Sequence, residues 1–297
     1  MSEDTPRKRL PRHARVSPDE RPPMALTQRD CDVIRAVNDY RAVTTEQLEA
    51  LFFGSRSTAQ YRLSRLFQHE FLDRNFLSVV SGAPGSSRVI YTVGKRGVGV
   101  LVEHFGYERN QVRLPKRGTL GWHLIEHLLK VNDLRVMVTL AARAQHWTLE
   151  TWLDETVFRA KPDYVTVKDK VGRSRREPVF PDGYFVLHTP RGKARFFLEV
   201  DRGTELLSKF APQIAVYETY VASGQYQERF QAKSLRILVV TTSERRLRSL
   251  MRATEQAGGN QKYWFTTFER TTTETIFTGA IWQRLGSESL LPLVTGD

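Results

Sequence analysis

The stretch FPDGYFVLHTPRGKARFFLEVDRGTE, residues 180–205, carries three carboxylates, Asp182, Glu199 and Asp201, in a chain that is otherwise strongly basic. Glu199 and Asp201 stand two residues apart in a β-rich run, so a strand would point both to one face and Val200 into the opposite layer. The segment TPRGK has turn composition, and if it closes a hairpin, Asp182 returns close to Glu199 and Asp201. Three carboxylates at one point repel each other and are costly to desolvate. The natural occupant is a hard divalent cation with oxygen ligands, Mg2+ or Mn2+. Against nucleic acid such an ion would activate water and steady a scissile phosphate. The competing reading is three strand-end acids neutralised by Arg191, Lys193 or Arg202.

The elements that must hold these acids follow from the apolar periods. GWHLIEHLLKVNDLRVMVTLAARAQ predicts a long amphipathic helix and TLETWLDETVF a strand. After a basic excursion, KPDYVTVKDKVGRSRRE, strands are expected over Val179–Leu187 and Ala194–Val200. TELLSKFAPQIAVYETYVASG is helical in pattern, with Pro212 set to kink it or break its start. If the helix runs through that proline, Lys209, Gln213 and Tyr217 share one face. SLRILVVTT reads as a fully buried strand, SERRLRSLMRATEQAG as a helix opened by Ser243, and YWFTTFER as a last strand. That order is an α/β sheet covered by helices.

The N-terminal half has a different rhythm. Residues 1–24 are Pro- and Arg-rich and are expected to form a disordered basic arm. Thr27 followed by Asp30 has the form of an N-cap, and Val33, Ile34 and Val37 make an apolar helical stripe. A second helix is expected from Thr44 or Thr45, with Leu48, Leu51 and Phe52 inward. A third, from about Ser57 to His69, buries Tyr61, Leu63 and Leu66 or a subset of them. Two β-rich runs, Phe76–Val80 and Val89–Val93, flank the loop SGAPGSSR. Three short helices and a β-hairpin are the order of a winged helix-turn-helix, whose third helix enters the major groove of duplex DNA while the wing touches phosphate. Ser57, Thr58, Gln60, Arg62 and Arg65 are then the outward candidates, and Arg88 the wing contact. The other use of such a module is protein contact or dimerisation, so a homodimer is compatible with it. A short helix and a basic linker should close this domain near residue 115, giving domains 25–114 and 115–297 after the arm.

Charge agrees with a polyanionic partner: 45 Lys and Arg oppose 33 Asp and Glu, for a formal net charge of +12. With 40% apolar residues the chain can build real cores. One cysteine, Cys31, excludes an internal disulfide and a cysteine-based zinc cluster; its place in a helix suggests a buried structural thiol. No apolar run reaches the length of a membrane span, and the N-terminus lacks the apolar core of a signal peptide, so the cytoplasm is the expected compartment and no membrane partner is expected.

Pro181-Asp182 followed by Glu199-Val200-Asp201 on the next strand resembles the PD-(D/E)xK motif of restriction-endonuclease-like enzymes, and QIAVY, Gln213 to Tyr217, is similar to the Q-x-x-x-Y helix of RecB-like members. With HLIEHLLKVNDLRV and FFLEVDRGTE, the arrangement over roughly residues 25–270 resembles the replication-relaxation family and the related MobC-type plasmid relaxases. The likeness implies a winged helix followed by an endonuclease-like mixed-sheet domain, and a metal-dependent DNA-nicking endonuclease serving plasmid or mobile-element replication or transfer. It implies Asp182, Glu199, Asp201 and, from the preceding helix, Glu126 at the metal, with other replication or transfer proteins as partners. One departure stands out: Asp201 occupies the place of the motif lysine. Lys209 is the expected substitute for orienting water or phosphate, with Gln213 and Tyr217 supporting. The alternative is a nuclease-fold DNA-binding regulator or replication accessory protein without activity. His123, Glu126 and His127 also fit an H-x-x-E-H zinc-protease pattern, which would leave the charge, the winged helix and the Pro-Asp block unexplained.

Overall fold

The structure, a computed structural model, describes residues 11, 14–76, 88–113, 122–168, 172–204 and 206–294, apart from the side chains of Trp122 and His123. The chain is α/β, with helices and one large mixed sheet, and separates into two compact units, Met1–Val136 and Met137–Asp297. The expected domain boundary near residue 115 lies outside the described residues.

In the first unit, helix α1 (Gln28–Tyr40) begins at a capping box. Thr27 accepts from the Asp30 N–H, and the Asp30 carboxylate accepts from the Thr27 N–H. Strand β1 (Val43–Thr44) leads into α2 (Thr45–Phe52), capped in the same way by Thr44 and Gln47. Helix α3 (Arg56–Gln68) is followed by β2 (Leu72–Phe76), β3 (Val89–Val93) and α4 (Gly97–Phe105). The strands pair antiparallel in the order β1-β3-β2. The first run of the expected hairpin thus starts four residues early, at Leu72, because Leu72 pairs with Val93; residues 77–87, the expected end of that strand and most of the wing loop, lie outside the described residues. Cys31 is buried, as are Leu63 and Leu66, but Tyr61 is 63% exposed. Residues 14–24, expected within a disordered arm, are tied down: Arg15 donates to Phe67 O and the Asp73 carboxylate, and Arg21 pairs with Glu70.

The long helix α5 (Trp122–Ala144) contributes to both units; its Leu129 packs with Ala42 and Ile90. The second unit continues with β4 (Thr148–Asp154), α6 (Glu155–Ala160), the hairpin β5 (Tyr164–Lys168) and β6 (Ser174–Pro178), then β7 (Gly183–Thr189) and β8 (Gly192–Val200). Helices α7 (Leu207–Ala222) and α8 (Gln225–Phe230), strand β9 (Arg236–Thr241), α9 (Glu244–Gln256), β10 (Tyr263–Thr267), β11 (Trp282–Arg284) and β12 (Leu290–Leu291) complete it. The seven-stranded sheet runs β12-β11-β10-β9-β8-β7-β4. Strands β4, β7 and β8 form an antiparallel meander, while β8, β9 and β10 are mutually parallel.

Four expectations change here. TLETWLDETVF is a strand only to Asp154, whose carboxylate caps α6 through the Thr156 N–H. The basic excursion contains the β5–β6 ribbon. Strand β7 starts at Gly183 rather than Val179. YWFTTFER is not the last strand, since β11 and β12 extend the sheet antiparallel. Pro212 lies inside α7 without ending it; it withholds only the N–H that would reach Ser208, near the helix start. No helix among the described residues is long and apolar enough to cross a membrane.

Candidate functional site

The β7–β8 hairpin turns at Pro190 and Arg191, with Gly192 taking the positive φ of 113° that the turn requires. Its register pairs Gly183 with Leu198, and one further step sets Asp182 across from Glu199. Asp182 Oδ2 accepts the Val200 N–H at 2.7 Å, which fixes the carboxylate against the end of β8. Glu199 is buried, 7% exposed, beneath α7. Its Oε2 accepts from Gln213 Nε2 at 2.9 Å, its Oε1 accepts from the Tyr217 hydroxyl, and Gln213 Nε2 also reaches the Tyr217 oxygen at 2.8 Å. Burial pushes the Glu199 carboxyl well above the usual range and the charge of Asp182 adds to this, against the hydrogen bonds from Tyr217 and Gln213. Burial and Glu199 likewise push the Tyr217 hydroxyl up.

The hairpin therefore brings Asp182 and Glu199 together, and α7 adds Gln213 and Tyr217. Asp201 takes another partner. Arg246 on α9 donates to it twice, Nε to Oδ2 at 3.0 Å and Nη2 to Oδ1 at 2.8 Å, and Thr241 adds its hydroxyl. Lys193, one of the cations considered for these acids, pairs with Glu150 at 2.8 Å instead. Lys209 is exposed one turn before Gln213 and makes no hydrogen bond to the acids among the described residues. Glu126 sits half-buried on α5 in the first unit, whereas the acid pair belongs to the second. Among the described residues no group of three or more His, Cys, Asp or Glu side chains is arranged to hold a metal ion.

One acid was missed. Strand β4 pairs Asp154 with Gly183, and the next residue, Glu155, opens α6 at that strand end. The Glu155 charge acts on Glu199. Glu155 also pairs with Arg159, whose Nε donates to it at 2.8 Å. The signal lay in the neighbouring Asp154-Glu155 at a strand end, but only the strand order reveals it.

In the first unit, Ser57, Thr58 and Gln60 are exposed on α3, as is Arg88 at the start of β3. Arg62 and Arg65 are turned to their own chain. Arg62 Nε donates to Asp30 Oδ1 at 2.7 Å and its Nη2 to Ala25 O at 2.9 Å; Arg65 Nη2 donates to the carbonyls of Pro22 and Pro23. The exposed Tyr61 stands among the outward polar residues, and the burial expected of α3 falls on the subset Leu63 and Leu66.

A family model described as replication-relaxation matches residues 34–233, more than half of the chain. The chain belongs to the replication-relaxation family. The matched span takes in α3, the Asp182–Glu199 pair and the Gln213–Tyr217 helix of this replication-relaxation protein. No curated protein and no solved structure matches it.

Proposed function

We propose that this protein acts in plasmid or mobile-element replication or transfer, binding duplex DNA through an N-terminal winged helix and nicking one strand with an endonuclease-like second unit related to MobC-type relaxases. The observation that carries the reading is the Asp182–Glu199 pair. Two acids face each other at a strand end, and burial and mutual repulsion disfavour the charge of one of them. A divalent cation relieves that repulsion, and Mg2+ is commonly held by one or two carboxylates together with substrate phosphate. The residues fit such an ion: Asp182 and Glu199 would hold it, within the field of the Glu155 charge. When bound it would supply Lewis acidity toward a phosphate and lower the pKa of water.

The chain's own residues do the rest. Gln213 and Tyr217 fix the Glu199 carboxylate in one orientation while leaving lone pairs on both oxygens. Lys209, exposed on the first turns of α7, would meet a phosphate rather than the acids and so substitute in part for the lysine absent at position 201. The outward face of α3, Ser57, Thr58, Gln60 and Tyr61, offers the base contacts, and Arg88 a phosphate contact.

A second reading has an observation of its own. Arg246 neutralises Asp201, so the position of the motif lysine offers neither a free cation nor a further acid to a metal, as expected of a nuclease fold retained for DNA binding alone. Supercoiled plasmid carrying the native replicon, incubated with Mg2+ and then Mn2+, separates the two. Open circles from the wild type, and none from Asp182→Ala or Glu199→Ala, are expected. Mn2+ should also raise the melting temperature of the wild type and not of Asp182→Ala. Intact supercoils on a clearly bound plasmid would leave the regulator.

A further inference from the structure

Beside the acids, the second unit has an open groove of about 1250 Å3 walled by α7, α9 and the β5–β6 ribbon. That exceeds the roughly 300–1,000 Å3 of a small-ligand pocket, which leaves room for a ligand larger than a small molecule. Small side chains keep it open: Ala211 and Ala215 on α7 face Ala253 on α9 across an apolar floor. Each wall supplies a cation to the rim, Lys168 from β5, Lys209 from α7 and Arg252 from α9, all three exposed and without a carboxylate partner among the described residues. Among the described residues the lining holds one acid, Glu177, and Arg175 neutralises it at 2.9 Å. Gln213 is part of the lining and also donates to Glu199, so groove and acid pair share one side chain.

We infer that this groove binds a single strand of nucleic acid, with phosphates on Lys168, Lys209 and Arg252 and unpaired bases against the apolar floor. A charged rim follows a single-stranded backbone, and an aromatic face accepts any base by stacking; Phe180 supplies that face in the lining. A duplex keeps its base faces stacked inside and would leave that floor without a partner. The inference rests on the nucleic-acid reading above and adds to it that the strand delivered to Glu199 is already unpaired. It also places strand binding on a unit other than the one that carries α3.

The test uses the full chain and a fluorescein-labelled oligodeoxythymidylate, with binding followed by anisotropy over a range of KCl. Lys168→Ala/Arg252→Ala, both exposed positions, should weaken binding about tenfold. It should also reduce the slope of log K against log salt by about 1.4, at roughly 0.7 for each phosphate that the protein ceases to neutralise. Wild type should bind the oligonucleotide in EDTA as well as in Mg2+, so a failure of the metal chemistry would not be read as a failure of the groove. An unchanged slope in the double variant, or no binding by the wild type, overturns the inference. So does poly-glutamate binding that depends on Lys168 and Arg252 while the oligonucleotide is ignored, since the occupant would then be an acidic protein segment.

Discussion

Burial and the neighbouring charge of Asp182 disfavour the ionised form of Glu199, while hydrogen bonds from Tyr217 and Gln213 favour it, and the net effect is a carboxyl pushed up. A folded-state pKa above the unfolded value, about 4.3 for glutamate, means the folded protein holds a proton that the unfolded chain releases. The stability tied to that proton is fully present below the unfolded value and is lost as pH rises toward the folded one. Glu199→Gln abolishes the titration, so its melting temperature should exceed that of the wild type at neutral and alkaline pH, with the gap closing as pH falls. Melts that stay parallel across the range would show that Glu199 does not titrate there. Tyr217→Phe acts in the opposite sense. It takes a donor from a buried carboxylate without opening a cavity, and should cost about 1–3 kcal/mol in denaturant unfolding.

At the scale of elements, Arg62 ties α3 to the start of α1 through Asp30, whose side chain has no solvent exposure. Burial pushes the Asp30 carboxyl up, but hydrogen bonds from Arg62 and Thr27 outweigh it and hold the net pKa below the ordinary value. Removing Arg62 leaves a buried, unpaired charge at a helix cap. Arg62→Ala should therefore destabilise the first unit by about 3 kcal/mol, the low end of such losses because the arginine is partly solvated. Urea unfolding would measure this, and a failure of that variant to bind DNA would be a folding effect rather than a missing contact. Sequence spacing alone presented Arg62 as outward, because its partner lies 32 residues earlier. Caps were legible for the converse reason: Thr27 with Asp30, and Ser243 at the start of α9, act within one turn. The β5–β6 ribbon was hidden because only Val165 and Val167 carry its apolar row, amid exposed charges. The hairpin that sets Asp182 across from Glu199 was legible from its turn and alternation. The Asp201–Arg246 pair and the action of the Glu155 charge on Glu199 depend on which elements become neighbours, which no local pattern encodes.

Across the whole molecule, a net charge of +12 would attract any duplex, and under the proposed DNA-binding function discrimination would come from a few side chains within that field. The two contributions have separable signatures. Neutralising a phosphate releases counterions, so removing one such cation lowers the salt slope by about 0.9 on duplex DNA, while removing a base-reading side chain changes preference and leaves the slope alone. Arg88→Ala is expected to weaken binding to every duplex alike and to flatten the slope by about 0.9. Ser57→Ala and Gln60→Ala lie on the exposed face of α3 and should instead narrow the gap between the native replicon sequence and random duplex, by about 1–3 kcal/mol for each base-reading side chain removed. Titrations of both duplexes at several salt concentrations measure preference and slope together. If Ser57→Ala and Gln60→Ala altered only the slope, α3 would be a phosphate-binding element, and sequence recognition would have to reside elsewhere in the chain.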